Sequence, residues 1–260
     1  MYIRNHNMSV SALNQLIEQA RRFFALPTPD KMSVAVENSP HFRGYLPLEY
    51  TGNEGEKGKN LQEGFMIMHE RPLDAFPMHG SNQWPRTLPS LRSTMWDYFS
   101  AMENLAAPLM HGFALALGLK RDFFDGFHQR PMNVLKLNHY PPQEIMDETE
   151  IIGVGGHCDG GSFTILWQDS LGGLEVRNKR GDWVGVPPIE VGHSSSTSPI
   201  CCSAAPRVGS RQRSTGSSIA TGRTGTQSPF SCIRRTTRSF ARWSIRRGAT
   251  SRLWSVATTC

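Results

Sequence analysis

Two segments in the N-terminal half repeat apolar residues at three- and four-residue steps, which is the period of an amphipathic helix. The first covers residues 8–26 and is stopped by the L-P-T-P sequence. The second covers residues 88–119, where Gly118 is placed to end a helix and Pro108 to kink or divide it. Two hydroxyls can cap the first segment, those of Ser9 and Ser11. We therefore expect two helices with buried apolar faces.

From Pro131 onward the apolar residues alternate at every second position, as in a half-buried strand. The alternating runs are N-V-L-K-L-N-H-Y, I-I-G-V-G-G-H-C-D and S-F-T-I-L-W-Q-D, and a hairpin follows with Gly181 in its turn. Residues 40–64 are rich in Gly, Pro, Asn and Glu, which predicts a long loop. Helices followed by short antiparallel strands favour an α+β protein built on a sandwich or barrel.

The character of the chain changes after Glu190. Residues 191–260 contain eleven Arg, no Lys and no acidic residue, whereas the whole chain has 28 basic and 22 acidic residues. Residues 1–190 therefore carry 28 − 11 = 17 basic and 22 acidic groups, a net charge of −5. The basic charge that would suggest a nucleic-acid partner lies wholly in a Ser-, Thr- and Arg-rich tail without sustained period, for which disorder is the expectation.

Candidate chemistry lies in the run G-V-G-G-H-C-D-G-G, residues 153–161. In an extended chain His157 and Asp159 share one face, and together they supply two ligands of the two-histidine, one-carboxylate iron triad. The next histidine is His193, 34 residues beyond Asp159, in the unrelated setting V-G-H-S-S-S. The glycines lack the G-x-G-x-x-G spacing of a nucleotide-binding loop.

Other classes of protein are disfavoured by simpler features. The five cysteines fit no metal-binding spacing, and four of them fall in the last seventy residues, so a disulfide framework is not expected. The start, M-Y-I-R-N-H-N, lacks the pattern of a secretory signal, and no apolar run of 18 residues occurs. The expectation is a cytoplasmic protein with no membrane partner.

Residues 1–190 resemble the isopenicillin N synthase-like branch of the iron(II)- and 2-oxoglutarate-dependent oxygenases. The resemblance rests on Y-I-R-N-H, A-R-R-F-F-A-L-P-T-P-D-K, H-F-R-G-Y, L-K-L-N-H-Y-P-P, G-H-C-D-G-G-S-F-T-I-L-W-Q-D-S-L-G-G-L-E-V and G-D-W-V-G-V-P-P-I. An isolated H-x-D is a weak motif, but this set taken together is highly specific.

The resemblance implies a fold in which N-terminal helices brace a double-stranded β-helix, or jelly roll, that is incomplete after about residue 190. It divides the chain into a mainly helical region (1–130), the first part of the jelly roll (131–190) and the tail (191–260). Carried over by position, His157 and Asp159 match iron ligands, and Asn138 and Tyr140 match residues that contact 2-oxoglutarate.

The resemblance also implies a reaction and its partners. The cofactor is Fe(II), the cosubstrate is 2-oxoglutarate, and ascorbate can serve as an accessory reductant. O2 oxidises a small organic substrate while 2-oxoglutarate is decarboxylated to succinate. No specific nucleic-acid partner is implied, and nothing in the residues indicates an oligomeric state.

The tail departs from the family pattern, because the H-R-V segment with the third iron ligand is missing and no R-x-S follows at the family's spacing. A shift of reading frame explains this. Read one base out of phase, codons for residues 214–222 can encode H-R-V-I-N-R-D-G, those for 225–232 can encode Y-S-I-P-F-F-L, and those for 193–204 can encode F-V-V-N-I-A-D-L-L-Q-R. The chain is then an oxygenase by descent that is inactive as written.

The alternative is a noncatalytic remnant that serves as a binding module with a basic arm.

Overall fold

The computed structural model describes residues 2–4, 6–48, 50, 61–74, 76, 78–128, 130–142, 152–157, 162–178 and 180–189. It also describes the backbone of three strands in the tail, residues 200–204, 241–244 and 253–259. At residues 128, 152, 155–157 and 177 only the backbone is described. Asp159 and His193 lie outside the described residues.

Three α-helices occur in the described ranges: α1 (Val10–Phe24), α2 (Thr28–Met32) and α3 (Ser90–Ala116). The Ser9 hydroxyl accepts a hydrogen bond from the amide of Ala12 at 3.1 Å, which caps the start of α1 as the sequence predicts. The helix α3 stays continuous through Pro108. It ends where Gly118 adopts a φ of +72°, and the amide of Leu119 donates to the carbonyl of Ala114 at 2.9 Å.

The described strands form two antiparallel sheets. Their order is β1-β9-β6-β11-β4-β3-β2 in a seven-stranded sheet and β5-β10-β7-β8 in a four-stranded sheet. The strands are β1 (Tyr2–Ile3), β2 (Gly44–Leu46), β3 (Glu63–Met68), β4 (Val134–Tyr140), β5 (Ile152–His157), β6 (Phe163–Gln168), β7 (Leu174–Arg177), β8 (Trp183–Gly185), β9 (Ile200–Ala204), β10 (Ala241–Ser244) and β11 (Leu253–Thr259).

The strand order is that of a jelly roll, since consecutive strands from β4 to β6 alternate between the two sheets. Strands β7 and β8 form the predicted hairpin, in which Gly181 has a φ of +94°. The prediction of helices bracing a jelly roll is therefore confirmed.

The main core lies between the helices and the outer face of the seven-stranded sheet. Phe23 of α1, Phe99 of α3 and Phe65 of β3 are fully buried there, together with Leu135 and Leu137 of β4. A second, smaller cluster lies between the two sheets and contains Tyr140, Val154 and Leu174, with Leu166, Leu171 and Val186 packed against it. The two clusters occupy opposite faces of β4, as its alternation predicts.

Residues 40–64 differ from the predicted loop. Gly44–Leu46 pairs with β3 as an edge strand, and β3 itself begins at Glu63. A three-residue strand is too short to show a period, and β3 is largely buried on both faces, which removes the alternation between apolar and polar residues. The intervening residues 51–60 lie outside the described residues.

The tail contributes strands to both sheets. In the seven-stranded sheet β11 lies between β4 and β6, and in the four-stranded sheet β10 lies between β5 and β7. The predicted division of the chain at residue 190 stays a prediction, because most of residues 191–260 lie outside the described residues.

Candidate active site

Strand β4 presents two of the predicted site residues to the interior between the sheets. Tyr140 packs with Val154 of β5 and Leu174 of β7, and only 2% of its surface is exposed. Asn138 lies two residues earlier on the same face of the strand and is also buried. The two residues matched to 2-oxoglutarate contacts therefore lie on one face inside the jelly roll, and their contact with 2-oxoglutarate stays a prediction.

Strand β5 carries His157 at its end and faces β4 across the interior. The other end of β5 lies beside β3, because the amide of Leu61 donates to the carbonyl of Gly153 at 2.8 Å, two residues before Glu63. Glu63 is paired in register with His139, next to Tyr140. Val154, which packs against Tyr140, lies three residues before His157 on β5, so the interior has a Tyr140 end and a His157 end.

The described residues do not assemble an iron centre. Of the two predicted ligands only the backbone of His157 is described, and Asp159 and the weaker candidate His193 lie outside that part of the chain. The residue paired with His157 on the neighbouring strand β10 is Ala241, which offers no ligand. Within the described ranges no three His, Cys, Asp or Glu residues cluster closely enough to bind a metal ion. The iron-ligand assignments stay predictions.

Lys136 shares the inward face of β4 with Asn138 and Tyr140. Its side chain extends over Gly64 of β3, since a Cβ atom placed on Gly64 would lie 2.8 Å from Lys136 Cε. Gly64 is paired in register with Asn138, so the lysine side chain runs toward the Tyr140 end. These three donors fit an anion such as 2-oxoglutarate, because they offer an ammonium, an amide and a phenol.

Gln168 adds a polar group on β6. The alternation of β6 places Gln168 on the face of Leu166, which packs against the inter-sheet cluster. Its amide nitrogen donates to the carbonyl of Val186 at 2.7 Å. Its buried Oε1 has no hydrogen-bond partner among the described residues.

A buried polar network lies on the opposite face of the seven-stranded sheet. Glu63 accepts hydrogen bonds from Lys31 Nζ at 2.8 Å and from the Tyr45 hydroxyl at 2.6 Å, and its other oxygen lies 2.7 Å from His139 Nδ1. All four residues are at most 9% exposed. Because His139 lies between Asn138 and Tyr140 in the chain, this network fixes the strand that carries the site residues.

The electrostatics of the network are set by Glu63. Burial alone would raise the pKa of its carboxyl, but the hydrogen bonds from His139, Lys31 and Tyr45 outweigh burial and lower the pKa below the usual range. The pKa of Tyr45 is raised, first by burial and then by its hydrogen bond to the Glu63 carboxylate. Glu63 is therefore an ionised acceptor in the folded state.

A groove of about 550 Å³ lies elsewhere, between α1 and α3. It is lined by Ser11, Asn14, Gln15, Glu18, Gln19 and Thr94, and it contains none of the predicted site residues. No helix in the described parts of the chain has the length and hydropathy needed to cross a membrane.

Sequence reasoning missed two features around the site. The alternation of L-K-L-N-H-Y places Lys136 on the face of Asn138 and Tyr140, so the lysine could have been identified as an inward charge. The Glu63 network could not have been identified from the sequence, because Lys31, Tyr45 and His139 are separated from Glu63 by 32, 18 and 76 residues.

Two family models match separate parts of the chain. Residues 1–87 match the model described as "non-haem dioxygenase in morphine synthesis N-terminal". Residues 131–199 match the "2OG-Fe(II) oxygenase superfamily". The second match ends close to the point where the composition of the chain changes.

Curated relatives match over a similar extent. Homoarginine-6-hydroxylase 2-ODD-C23 of Glycine max is 33% identical over 209 residues, which covers 72% of this chain and 60% of the relative. The 2-oxoglutarate-Fe(II) type oxidoreductase hxnY of Emericella nidulans is 32% identical and covers 72% and 57%, respectively. Clavatol oxidase claD of Penicillium crustosum is 32% identical and covers 72% and 62%. The chain thus spans about 60% of the length of these relatives.

Solved structures share the fold at lower identity. A full-length Neurospora crassa protein in complex with alpha-KG is 22% identical with a TM-score of 0.72, and the match covers 100% of this chain and 74% of that one. A 2OG-Fe(II) oxygenase family protein from Caulobacter crescentus is 20% identical with a TM-score of 0.74, covering 99% and 75%. The family-model matches and the curated relatives, together with the jelly-roll fold, show that the chain belongs to the 2-oxoglutarate- and iron(II)-dependent oxygenase family, whose cofactor and cosubstrate are Fe(II) and 2-oxoglutarate.

Proposed function

We propose that this chain derives from a dioxygenase that oxidises a small organic substrate with O2 and decarboxylates 2-oxoglutarate to succinate. The observation that carries the proposal is the placement of Asn138 and Tyr140 on the inner face of β4, opposite the strand that ends in His157. Iron supplies the oxidative chemistry when it is bound, and the residues of the chain bind and orient 2-oxoglutarate and exclude water. The names of the relatives indicate different activities, so we specify the substrate only as a small organic molecule.

We further propose that the chain as printed does not form a working iron centre. The third ligand is absent from the sequence, no R-x-S stands at the family's spacing, and the position opposite His157 on β10 is Ala241. A two-ligand site lacks the facial triad that leaves three positions on iron open for 2-oxoglutarate and O2. A cytoplasmic location belongs to the same proposal, since reduced Fe(II) suits a reducing compartment.

A reading-frame shift accounts for the missing segments. A single offset recovers H-R-V-I-N-R-D-G, Y-S-I-P-F-F-L and F-V-V-N-I-A-D-L-L-Q-R in the order that the family requires. The recovered histidine straddles residues 214 and 215, about 56 positions after Asp159. Sequencing the gene across the codons for residues 188–193 tests this directly, and an unambiguous intact frame there argues against the shift.

The decisive experiment compares the chain as printed with a version whose frame is restored by one base. Each protein is titrated with ferrous sulfate under argon in the presence of 2-oxoglutarate, and absorbance is followed in the visible range. Chelation of Fe(II) by the keto acid gives a weak charge-transfer band in the green. We expect the band from the restored protein and not from the chain as printed.

The outcomes separate the two candidate functions. A band from the chain as printed contradicts the proposed lack of a third ligand. No band from either protein, when both fold, favours the second candidate function, a noncatalytic remnant of the fold that binds small molecules and carries the basic tail as an interaction arm. The eleven arginines and absent carboxylates of residues 191–260 are the observation behind that candidate, and binding through them should weaken steeply as salt rises.

A further inference from the structure

We infer that Lys136 is the residue of this chain that binds the far carboxylate of 2-oxoglutarate, the role that the resemblance gives to the missing arginine of R-x-S. The inference rests on the proposed function, because it assigns a residue to the same interior site. It concerns a side chain encoded before the change of composition, and it applies to the chain as printed, in which that arginine is missing.

The first argument is the charge of the interior. The register of the two sheets fixes which positions of each strand face inward, and Lys136 is the one charged residue among the inward positions of the described strands β2, β3, β4 and β6. Its neighbours on that face are neutral, and they are Leu46, Gly64, Met66, Asn138, Tyr140, Thr164, Leu166 and Gln168. A single positive charge among these described positions favours an anionic ligand.

The second argument is the direction of the side chain. Lys136 Cε lies over Gly64, where a Cβ would come within 2.8 Å, and Gly64 is level with Asn138. The missing side chain at Gly64 therefore leaves the space through which the lysine extends toward Tyr140. A keto acid held by its keto end near His157 would point its far carboxylate toward this same end.

The third argument is the set of hydrogen-bond groups around the ammonium. Asn138 and Tyr140 share its face of β4, two and four positions further along the strand, and carry an amide and a phenol. An ammonium with two neutral donors can satisfy both oxygens of a carboxylate, and a charged donor makes these hydrogen bonds stronger than neutral pairs. An ammonium lacks the fork geometry of arginine, so it binds the carboxylate as a point charge.

The test measures binding to metal-free protein, so it does not depend on iron or turnover. Ligand-observed NMR gives the Kd of 2-oxoglutarate and of 2-oxopentanoate, a keto acid that lacks the far carboxylate. We expect the chain as printed to prefer 2-oxoglutarate, and Lys136→Met to raise its Kd about 10- to 100-fold while leaving 2-oxopentanoate unchanged. Lys136→Arg should retain the preference.

Two further variants keep the result interpretable. Lys120→Met removes the same charge at an exposed position after α3 and should change neither Kd. Gly64→Ala keeps the charge but displaces Lys136 Cε, and it should also reduce the preference for 2-oxoglutarate. Circular dichroism establishes that each variant is folded. If Lys136→Met does not fold, the Gly64→Ala and Lys136→Arg results decide the inference.

The failures of the two proposals can be told apart. Equal preference for 2-oxoglutarate in the chain as printed and in folded Lys136→Met overturns the inference about Lys136 and leaves the proposed function intact. A preference that depends on Lys136, with no charge-transfer band even from a frame-restored protein, supports the inference and overturns the proposed oxygenase reaction. Absence of any 2-oxoglutarate binding by the folded chain as printed overturns the inference about Lys136, whereas the charge-transfer band of the frame-restored protein still decides the proposed function.

Discussion

Glu63 is a buried charged residue whose replacement should cost substantial stability. It is 5% exposed, and its carboxylate is held by Lys31, Tyr45 and His139 on the helix side of the seven-stranded sheet. Removing one partner from a buried ion pair leaves the other charge uncompensated, so Glu63→Gln should destabilise the protein by about 3 kcal/mol. The measurement is equilibrium urea unfolding at neutral pH.

Glu18→Gln is the matched control for that variant. Glu18 pairs with Arg21 at 4.0 Å on the exposed face of α1, where both side chains are more than half exposed. Such surface pairs contribute little, so the change should stay within about 0.5 kcal/mol. Equal effects of the two variants would contradict the view that the Glu63 network holds β4 in place.

Ionisation of Glu63 should also affect how the free energy of unfolding falls at acidic pH. The folded-state pKa of Glu63 is lowered below the ordinary value of 4.5, so the unfolded chain binds this proton more tightly. Its contribution is fully present above pH 4.5 and is lost as the pH falls through the lowered folded value. Urea midpoints measured from pH 6 downward should therefore fall less steeply in Glu63→Gln. Parallel pH profiles for the two proteins would contradict this.

At the level of elements, the start of α1 gives a clear test. The Ser9 hydroxyl accepts from the amide of Ala12, so Ser9→Ala leaves a helix-terminal amide without its partner and should cost about 1 kcal/mol. Ser9→Asp should retain the cap. Ser11→Ala, two residues further along the chain and exposed, should be close to neutral. A loss from Ser11→Ala as large as that from Ser9→Ala would identify Ser11 as the cap in solution.

How far an element could be predicted from the sequence depended on its length and on whether only one face is buried. The helices α1 and α3 have long apolar stripes, and β4 alternates cleanly because its faces contact different clusters. The strand β3 was missed because it is largely buried on both faces, and β2 because it has three residues. Asn138 and Tyr140 could be placed from the motif and the alternation together, whereas the partners of Glu63 come from separate elements.

At the level of the whole molecule, closure of the jelly roll depends on strands distant in sequence. Strand β11 pairs with β4 and β6, more than 80 residues earlier in the chain, and β10 completes the sheet that contains His157. The tail sequence did not predict these strands, because A-R-W-S and L-W-S-V-A-T-T show no sustained period of their own. These segments become strands because each lies between two neighbouring strands whose backbone groups it can pair with.

The composition of β11 leads to the last prediction. In its register Thr258 is paired with Leu135, whose neighbours on the core face are fully buried, so a polar residue occupies a position in an apolar row. The restored frame instead offers a strand from the codons for residues 225–232, Y-S-I-P-F-F-L, which is richer in large apolar residues than β11. We expect the restored protein to unfold at higher urea and with a larger m-value, because more apolar surface is buried on folding.

That comparison is best made by far-UV circular dichroism, since the frame changes the tryptophan content of the tail. Restoring the frame while replacing the recovered H-R-V histidine by alanine separates sheet completion from metal binding. This variant should keep the gain in urea midpoint in the absence of iron and lose only the charge-transfer band. Equal midpoints and m-values for the printed and restored chains would show that β10 and β11, as written, close the two sheets as well as the family's own strands.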